Sequence, residues 1–258
     1  LEIPHQVIRS ALATLWPALA AVSLAVAVGR EDVTALGLVL LACGTTAGYV
    51  LDRLIDERGI DPPSTRRRLK LLFVVTSAIA LLIAFTAEWR FFVCCVLGVL
   101  AGGYVPLKRW IPKNMLTVPA WTIACCALPF ATSPAGDGKY AASAMAVAFI
   151  MLANTVLCDV PTVAADRRAG VRSFTTRFGA KAGAAFAGFA ACLGVAGGAA
   201  YHHWGLAATA AALVPLAFLL GRDPANAWAR RWVDNAVVLL PGPVTLLTQL
   251  LLPDFTSP

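Results

Sequence analysis

Apolar runs of about 17 to 25 residues recur along this chain, each closed by a short polar break, and that repeat leaves few folds open. The runs fall at 7–28, 33–52, 69–87, 91–107, 115–132, 140–159, 181–201, 205–221 and 232–252, nine in all. Each is long enough to cross a bilayer as a helix. In lipid the backbone must satisfy its own hydrogen bonds, which a helix does within one segment. Of the 258 residues, 59% are hydrophobic and only 14% are charged. A soluble domain is nearer half apolar and a quarter charged. The expectation is one all-α integral membrane domain over residues 1–258. Its first run is read as a span and not as a cleavable signal, because similar runs follow it.

Two links are very short, Glu88 to Arg90 and His202 to Trp204. Links of that length make the helices they join antiparallel neighbours in a bundle. Nine spans place alternate loops on opposite sides. Eighteen of the 21 Lys and Arg residues then share one side, and only Arg30, Arg90 and Lys139 fall on the other. That bias puts the crowded side in the cytoplasm. It also accounts for the net charge of +7 without a nucleic-acid partner. Trp89 and Trp204 fall at the outer interface, and Trp110, Trp228 and Trp232 at the inner one, the depth such amphipathic rings prefer. The high Ala content and compact loops read as bacterial, hence an inner-membrane protein with its site facing the cytoplasm. Small-residue runs such as Gly194-Val195-Ala196-Gly197-Gly198 read as close helix packing.

The acids are less evenly spread than the bases. Asp52, Asp56, Glu57 and Asp61 crowd the end of the second run, and Asp159 and Asp166 the end of the sixth. Asp52 and Asp56 are four apart and share a helical face. Asp159 and Asp166 are seven apart and share one too if the helix continues past Pro161, which bends or restarts a helix. Like charges this close call for protonation or for a cation between them. Mg²⁺ typically takes one or two carboxylates together with substrate phosphates. Ionisable side chains at the ends of long apolar runs are costly and read first as functional.

Basic groups accompany the acids. Arg66-Arg67-Arg68 follow the first cluster, and Arg167, Arg168 and Arg172 the second. Tyr104 and Lys108 end the fourth run, and Lys113-Asn114 open the fifth. Arg offers a planar fork to phosphate and Lys a point charge. Acids and bases beside a greasy cavity suit a lipid diphosphate. The seven cysteines show no metal-type spacing and read as small core residues. His5, His202 and His203 stand apart from both clusters, and no nucleophile motif or Gly-rich phosphate loop occurs.

The two clusters resemble the UbiA superfamily of intramembrane prenyltransferases, whose pattern is Asn-Asp-x-x-Asp-x-x-x-Asp after the second helix and Asp-x-x-Asp-x-x-x-Asp after the sixth. Asp52-Arg53-Leu54-Ile55-Asp56 resembles the second half of the first motif. Asp159, Asp166 and the run on to Ser173 resemble the second motif and its continuation. Tyr104, Lys108 and Lys113-Asn114 resemble the segment after the fourth helix. Gly48-Tyr49 stand where that family has Asn-Asp, and Thr162 where it has the middle Asp.

The resemblance implies nine transmembrane helices around a central cavity open to lipid. It implies Mg²⁺-dependent transfer of a prenyl group from a prenyl diphosphate to a lipophilic, often aromatic, acceptor. Asp52 and Asp56 would hold one Mg²⁺, and Asp159 and Asp166 the other, so these four are the expected catalytic and metal residues. Lys108, Arg67 and Arg172 would grip the diphosphate, with Tyr49, Tyr104 and Asn114 completing the substrate site. Tyr49 would line an acceptor pocket or steady a carbocation with its π face. Two other readings stay open: a terpene cyclase on the same scaffold, which needs no acceptor, and a non-catalytic binder of lipid diphosphates.

Overall fold

The computed structural model describes residues 5–29, 32–56, 63–107, 110–130 and 141–251, with side chains from Leu15 onward except those at 56, 105, 106, 141 and 142. The described residues are helical. They form α1 (His5–Gly29), α2 (Ala35–Asp56), α3 (Pro63–Ala84), α4 (Glu88–Leu107), α5 (Asn114–Ala127), α6 (Ala141–Asp159), α7 (Val163–Arg168), α8 (Phe174–Phe178), α9 (Ala180–Ala200), α10 (Trp204–Arg222), α11 (Ala227–Leu239) and α12 (Pro241–Leu251). A single 3-10 turn, Val160–Thr162, separates α6 from α7.

Every expected span finds a helix, with three differences. The last, expected at 232–252, is two helices bent by 47°. The break falls where α12 opens on Pro241, which has no N–H to continue the ladder of α11. The fifth is only 14 residues long. The third begins at Pro63, so Arg66, Arg67 and Arg68 lie on its first turns and not in a loop. Proline suits a helix start, where its missing N–H costs nothing. Among the described residues four helices, Ala35–Ile55, Ser143–Arg168, Ala180–Ala200 and Trp204–Arg222, are long and apolar enough to cross a membrane, and the bent pair makes a fifth. The count of nine is thus not reached by length and composition alone.

The bundle is apolar on the outside as well as in its core. Leu82, Val99 and Leu250 are each about three-quarters exposed, which is the surface lipid covers. Inside, α9 packs along both α10 and α6, and α2 along α1 and α3. Small residues set these distances. A Cβ added at Gly198 of α9 would lie 2.7 Å from the backbone nitrogen of Ala207 in α10. That close approach is the use of the Gly-rich run in α9.

Polar groups close the end remote from the acid clusters. Arg90 is 6% exposed. Its Nη2 donates to the carbonyl of Phe130 and, at 3.3 Å, to Thr34 Oγ1. Thr34 in turn donates its N–H (2.9 Å) and its hydroxyl (3.0 Å) to the carbonyl of Pro129. One arginine thereby ties the starts of α2 and α4 to the end of α5. Sequence reading had taken it only as one of the few bases on the outer side.

Candidate active site

The site is built where α5 begins and α6 ends. Lys113, just before α5, forms an ion pair with Asp159 Oδ1 at the end of α6. Asp159 is only 2% exposed. One turn earlier on the same face of α6, Thr155 Oγ1 accepts a 2.9 Å hydrogen bond from Asn114 Nδ2. Two successive residues of one helix start thus meet two residues spaced four apart on the other. Asn114 is buried as well. An ammonium faces the buried carboxylate of Asp159, the partner a buried carboxylate requires.

Past Asp159 the chain does not continue as one helix. The 3-10 turn through Pro161 intervenes, and Thr162 takes up the slack. Its hydroxyl donates to the Asp159 carbonyl at 3.2 Å and to Asp166 Oδ2 at 2.9 Å. The expected shared face of Asp159 and Asp166 is therefore reached by a bend and not by a continuous helix. At Gly170, φ of +69° turns the chain back, a conformation a side chain would oppose. The return brings the Arg172 carbonyl to the Lys113 N–H at 3.0 Å. Arg172 Nη1 donates to the Trp110 carbonyl at 3.2 Å. Ser173 then caps α8 in a box with Thr176. Arg167 and Arg168 spend their Nε–H groups on the carbonyls of Thr176 and Ala164.

α2 supplies the facing wall. It runs through Asp52 to Asp56, so both belong to one helix as expected. The side chain of Asp56 and the whole of Lys108 lie outside the described residues. Tyr49 is 45% exposed, yet Trp121 of α5 meets its ring edge-on at 6.4 Å. Its phenol lies within electrostatic reach of Asp52, Tyr104, Cys158 and Asp234, from α2, α4, α6 and α11. Arg67 is exposed on α3, and no described contact draws it to the acids.

Two residues that sequence reading passed over enter here. Asp234 of α11 accepts a 3.3 Å hydrogen bond from the Cys158 thiol. It lines a cleft of about 430 Å³ between the end of α6 and α11, together with Arg230, Arg231 and Pro161. Asn154 binds α6 to α11 through the Val233 carbonyl at 3.1 Å. The sequence did carry a signal for Asp234: it is an acid inside an expected span, where ionisable groups default to function.

The donor set is hard oxygen, suited to Mg²⁺. Asp159 keeps one buried oxygen, Oδ2, with no hydrogen-bond donor among the described residues, and its carboxylate lies within electrostatic reach of Asp166. Among the described residues no three His, Cys, Asp or Glu side chains cluster tightly enough to hold an ion by themselves. Two carboxylates completed by substrate phosphates match that arrangement.

No family model and no curated protein matches the chain. Solved structures do. A UbiA homologue from Aeropyrum pernix K1, in its apo form, superposes with a TM-score of 0.67 over 93% of this chain and 98% of that one, at 15% identity. The chain has the UbiA fold. A second structure, described as digeranylgeranylglyceryl phosphate synthase in membranes, covers 91% of this chain and 92% of that one, with a TM-score of 0.60 at 13% identity. This UbiA fold spans nearly the whole chain, in keeping with an integral membrane protein whose acid clusters close one end of the bundle.

Proposed function

We propose that this protein is a membrane prenyltransferase, transferring a prenyl group from a prenyl diphosphate to a lipophilic acceptor. The observation that carries the reading is the Lys113–Asp159 pair, with its buried carboxylate, set in a UbiA fold. Ionisable groups sunk between membrane helix ends are costly and read first as functional. Asp159 and Asp166 would hold one Mg²⁺, and Asp52 and Asp56 another. Bound there, Mg²⁺ would supply positive charge against a diphosphate. The nine-span topology belongs to the same reading, as does a cytoplasmic location for the acid end in a bacterial inner membrane, which the one-sided Lys and Arg distribution supports.

This chain's own residues divide the remaining work. Lys113 balances the Asp159 carboxylate and offers its remaining N–H donors to phosphate oxygens, with Lys108, Arg67 and Arg172 as further cations. Asn114, locked by Thr155, fixes the start of α5 so that Lys113 is held in place. The prenyl chain lies along the apolar interior past Tyr49 and Tyr104. Closure of that space to water preserves an allylic cation for its acceptor.

One observation favours a second reading. Tyr49 and Trp121 form an aromatic contact one turn before Asp52, and aromatic faces beside the acids also suit cyclisation without an acceptor. The deciding experiment is diphosphate release by the purified protein, with and without Mg²⁺, over donors from geranyl to geranylgeranyl diphosphate. Release that requires Mg²⁺ and is abolished in Asp159→Ala is the expected result. Cyclic products would select the cyclase. Binding of the donors with no release, whatever acceptor is added, would leave a lipid-diphosphate binder.

A further inference from the structure

Arg90, at the end remote from the acid clusters, is 6% exposed and carries a charge. Among the described residues no carboxylate pairs with it, and the groups that accept from its Nη2, the Phe130 carbonyl and Thr34 Oγ1, are neutral. Its Nε–H is buried with no acceptor among those residues. A buried charge is costly unless an opposite charge meets it. Arg90 lines a cleft of about 440 Å³ together with Thr34, Ala35, Leu36, Thr86 and Ala87. Ala35 and Leu36 open α2, a helix of 22 residues. Their N–H groups belong to its first turn, which has no intrahelical acceptors and is the positive end of the helix dipole. The hydroxyls of the cleft are spent elsewhere: that of Thr34 donates to the Pro129 carbonyl at 3.0 Å, and that of Thr86 to the Ile83 carbonyl at 2.7 Å. The acids nearest in sequence, Asp32 and Glu88, do not line the cleft. Apolar side chains flank it. Leu36 is 55% exposed, and Phe85, next to Thr86, is 70% exposed.

We propose that this cleft binds the phosphate of a membrane phospholipid, with Arg90 as its counter-charge and the start of α2 as a further set of donors. A phosphodiester carries the single negative charge that Arg90 lacks. Its oxygens accept from a guanidinium and from the N–H groups of a helix start. The exposed Leu36 and Phe85 suit the acyl chains that continue from such a headgroup, whereas a free phosphate would gain nothing from them. The depth also fits. The Arg90 guanidinium stands 5.3 Å from the ring of Trp89, and tryptophan rings prefer the level of lipid headgroups. A bound phosphate would complete the clasp that Arg90 makes between α2, α4 and α5, which its neutral partners leave without a counter-charge. The site stands apart from the acid clusters and does not depend on the reaction proposed there.

The test uses the full chain, stripped of lipid in a neutral maltoside detergent. The probes are dihexanoyl phosphatidylglycerol, dihexanoylglycerol, which lacks the phosphate, and inorganic phosphate. Calorimetry gives their affinities for the native sequence, Arg90→Gln and Ala35→Glu. Arg90→Gln weakens the clasp as well as the site, so Ala35→Glu is the cleaner variant. Residue 35 is exposed and lines the cleft, and an acid in the first turn of a helix favours folding. Its carboxylate competes with the phosphate and leaves the bonds of Arg90 to Phe130 and Thr34 in place. The native protein is expected to prefer phosphatidylglycerol at least about tenfold over dihexanoylglycerol, and both variants to lose most of that preference. Ala35→Glu should lose it with no fall in melting temperature, which a merely structural role of Arg90 would not produce. Equal binding of the two lipids by the native protein overturns the proposal, as does a preference that survives Ala35→Glu. Inorganic phosphate that binds as tightly as phosphatidylglycerol overturns the assignment to a lipid.

Discussion

Lys113 and Asp159 form a buried ion pair that joins the start of α5 to the end of α6. The two partners are unequally buried, with 22% of the Lys113 side chain and 2% of that of Asp159 exposed. Lys113→Ala strands the carboxylate and is expected to cost about 3 kcal/mol, the lower range for breaking a buried pair, because the lysine is partly solvated. Lys113→Met with Asp159→Leu should recover most of that stability, since apolar replacements need no partner. Thermal unfolding in detergent measures both. The double variant should remain inactive in Mg²⁺-dependent diphosphate release. An active double variant would show that the pair is only a structural clasp.

Gly48 and Tyr49 invite the opposite experiment. A Cβ at Gly48 would meet no atom within 4 Å, so the backbone has room for a larger residue. The double substitution Gly48→Asn with Tyr49→Asp restores the Asn-Asp pair of the UbiA motif. The helix should hold, because both changes sit on an α2 face with space beside it. An added carboxylate raises the local demand for a cation, so Mg²⁺ half-saturation should fall by about threefold or more. Titration of Mg²⁺ against diphosphate release reads this. An unchanged Mg²⁺ requirement would mean that residue 49 does not face the metal at all.

Much of this arrangement was legible before any coordinates. The apolar runs located the helices because lipid forces backbone hydrogen bonds inward, and the Asp52–Asp56 spacing holds because α2 runs on to residue 56. Side-chain choices across helices were not legible. Nothing in the spacing says that Lys113 selects Asp159 while Asn114 selects Thr155, since both pairings depend on how two helices cross. The break at Pro241 was hidden by unbroken hydropathy, and Asp234 by the single acid it contributes. Arg90 keeps the side assigned to it, but its clamp was not legible, because charge patterning cannot distinguish a snorkelling arginine from one that ties three segments together.

Thr162 stands between the two acids of the second cluster, with its hydroxyl on Asp166 and on the Asp159 carbonyl. Thr162→Val removes both bonds and keeps the shape. It should cost about 1 kcal/mol and release Asp166 from its restraint. Thr162→Asp places a third carboxylate among two. Without a divalent ion that variant should be destabilised by repulsion, and added Mg²⁺ should raise its melting temperature more than that of the native chain, as binding to the folded state alone requires. Equal Mg²⁺ shifts in both proteins would argue that the second cluster holds no metal.

Arg90 offers a control at the far end of the molecule. Its Nη2 bonds Phe130 and Thr34, and it is almost fully buried. Arg90→Ala leaves the Phe130 carbonyl without its donor and opens space next to the cleft lined by Thr34, Ala35 and Thr86. The expected loss is about 2 to 4 kcal/mol of stability, from the lost arginine hydrogen bonds and a cavity. Arg90→Lys should recover little, because an ammonium is more strongly hydrated than a guanidinium and costs more to bury. Turnover per folded molecule should be unchanged in both variants, since the clamp lies at the opposite end from Asp159. A variant that unfolds no earlier but loses turnover would reveal coupling between the two ends of the bundle, and the clamp would then have to be counted as part of the site.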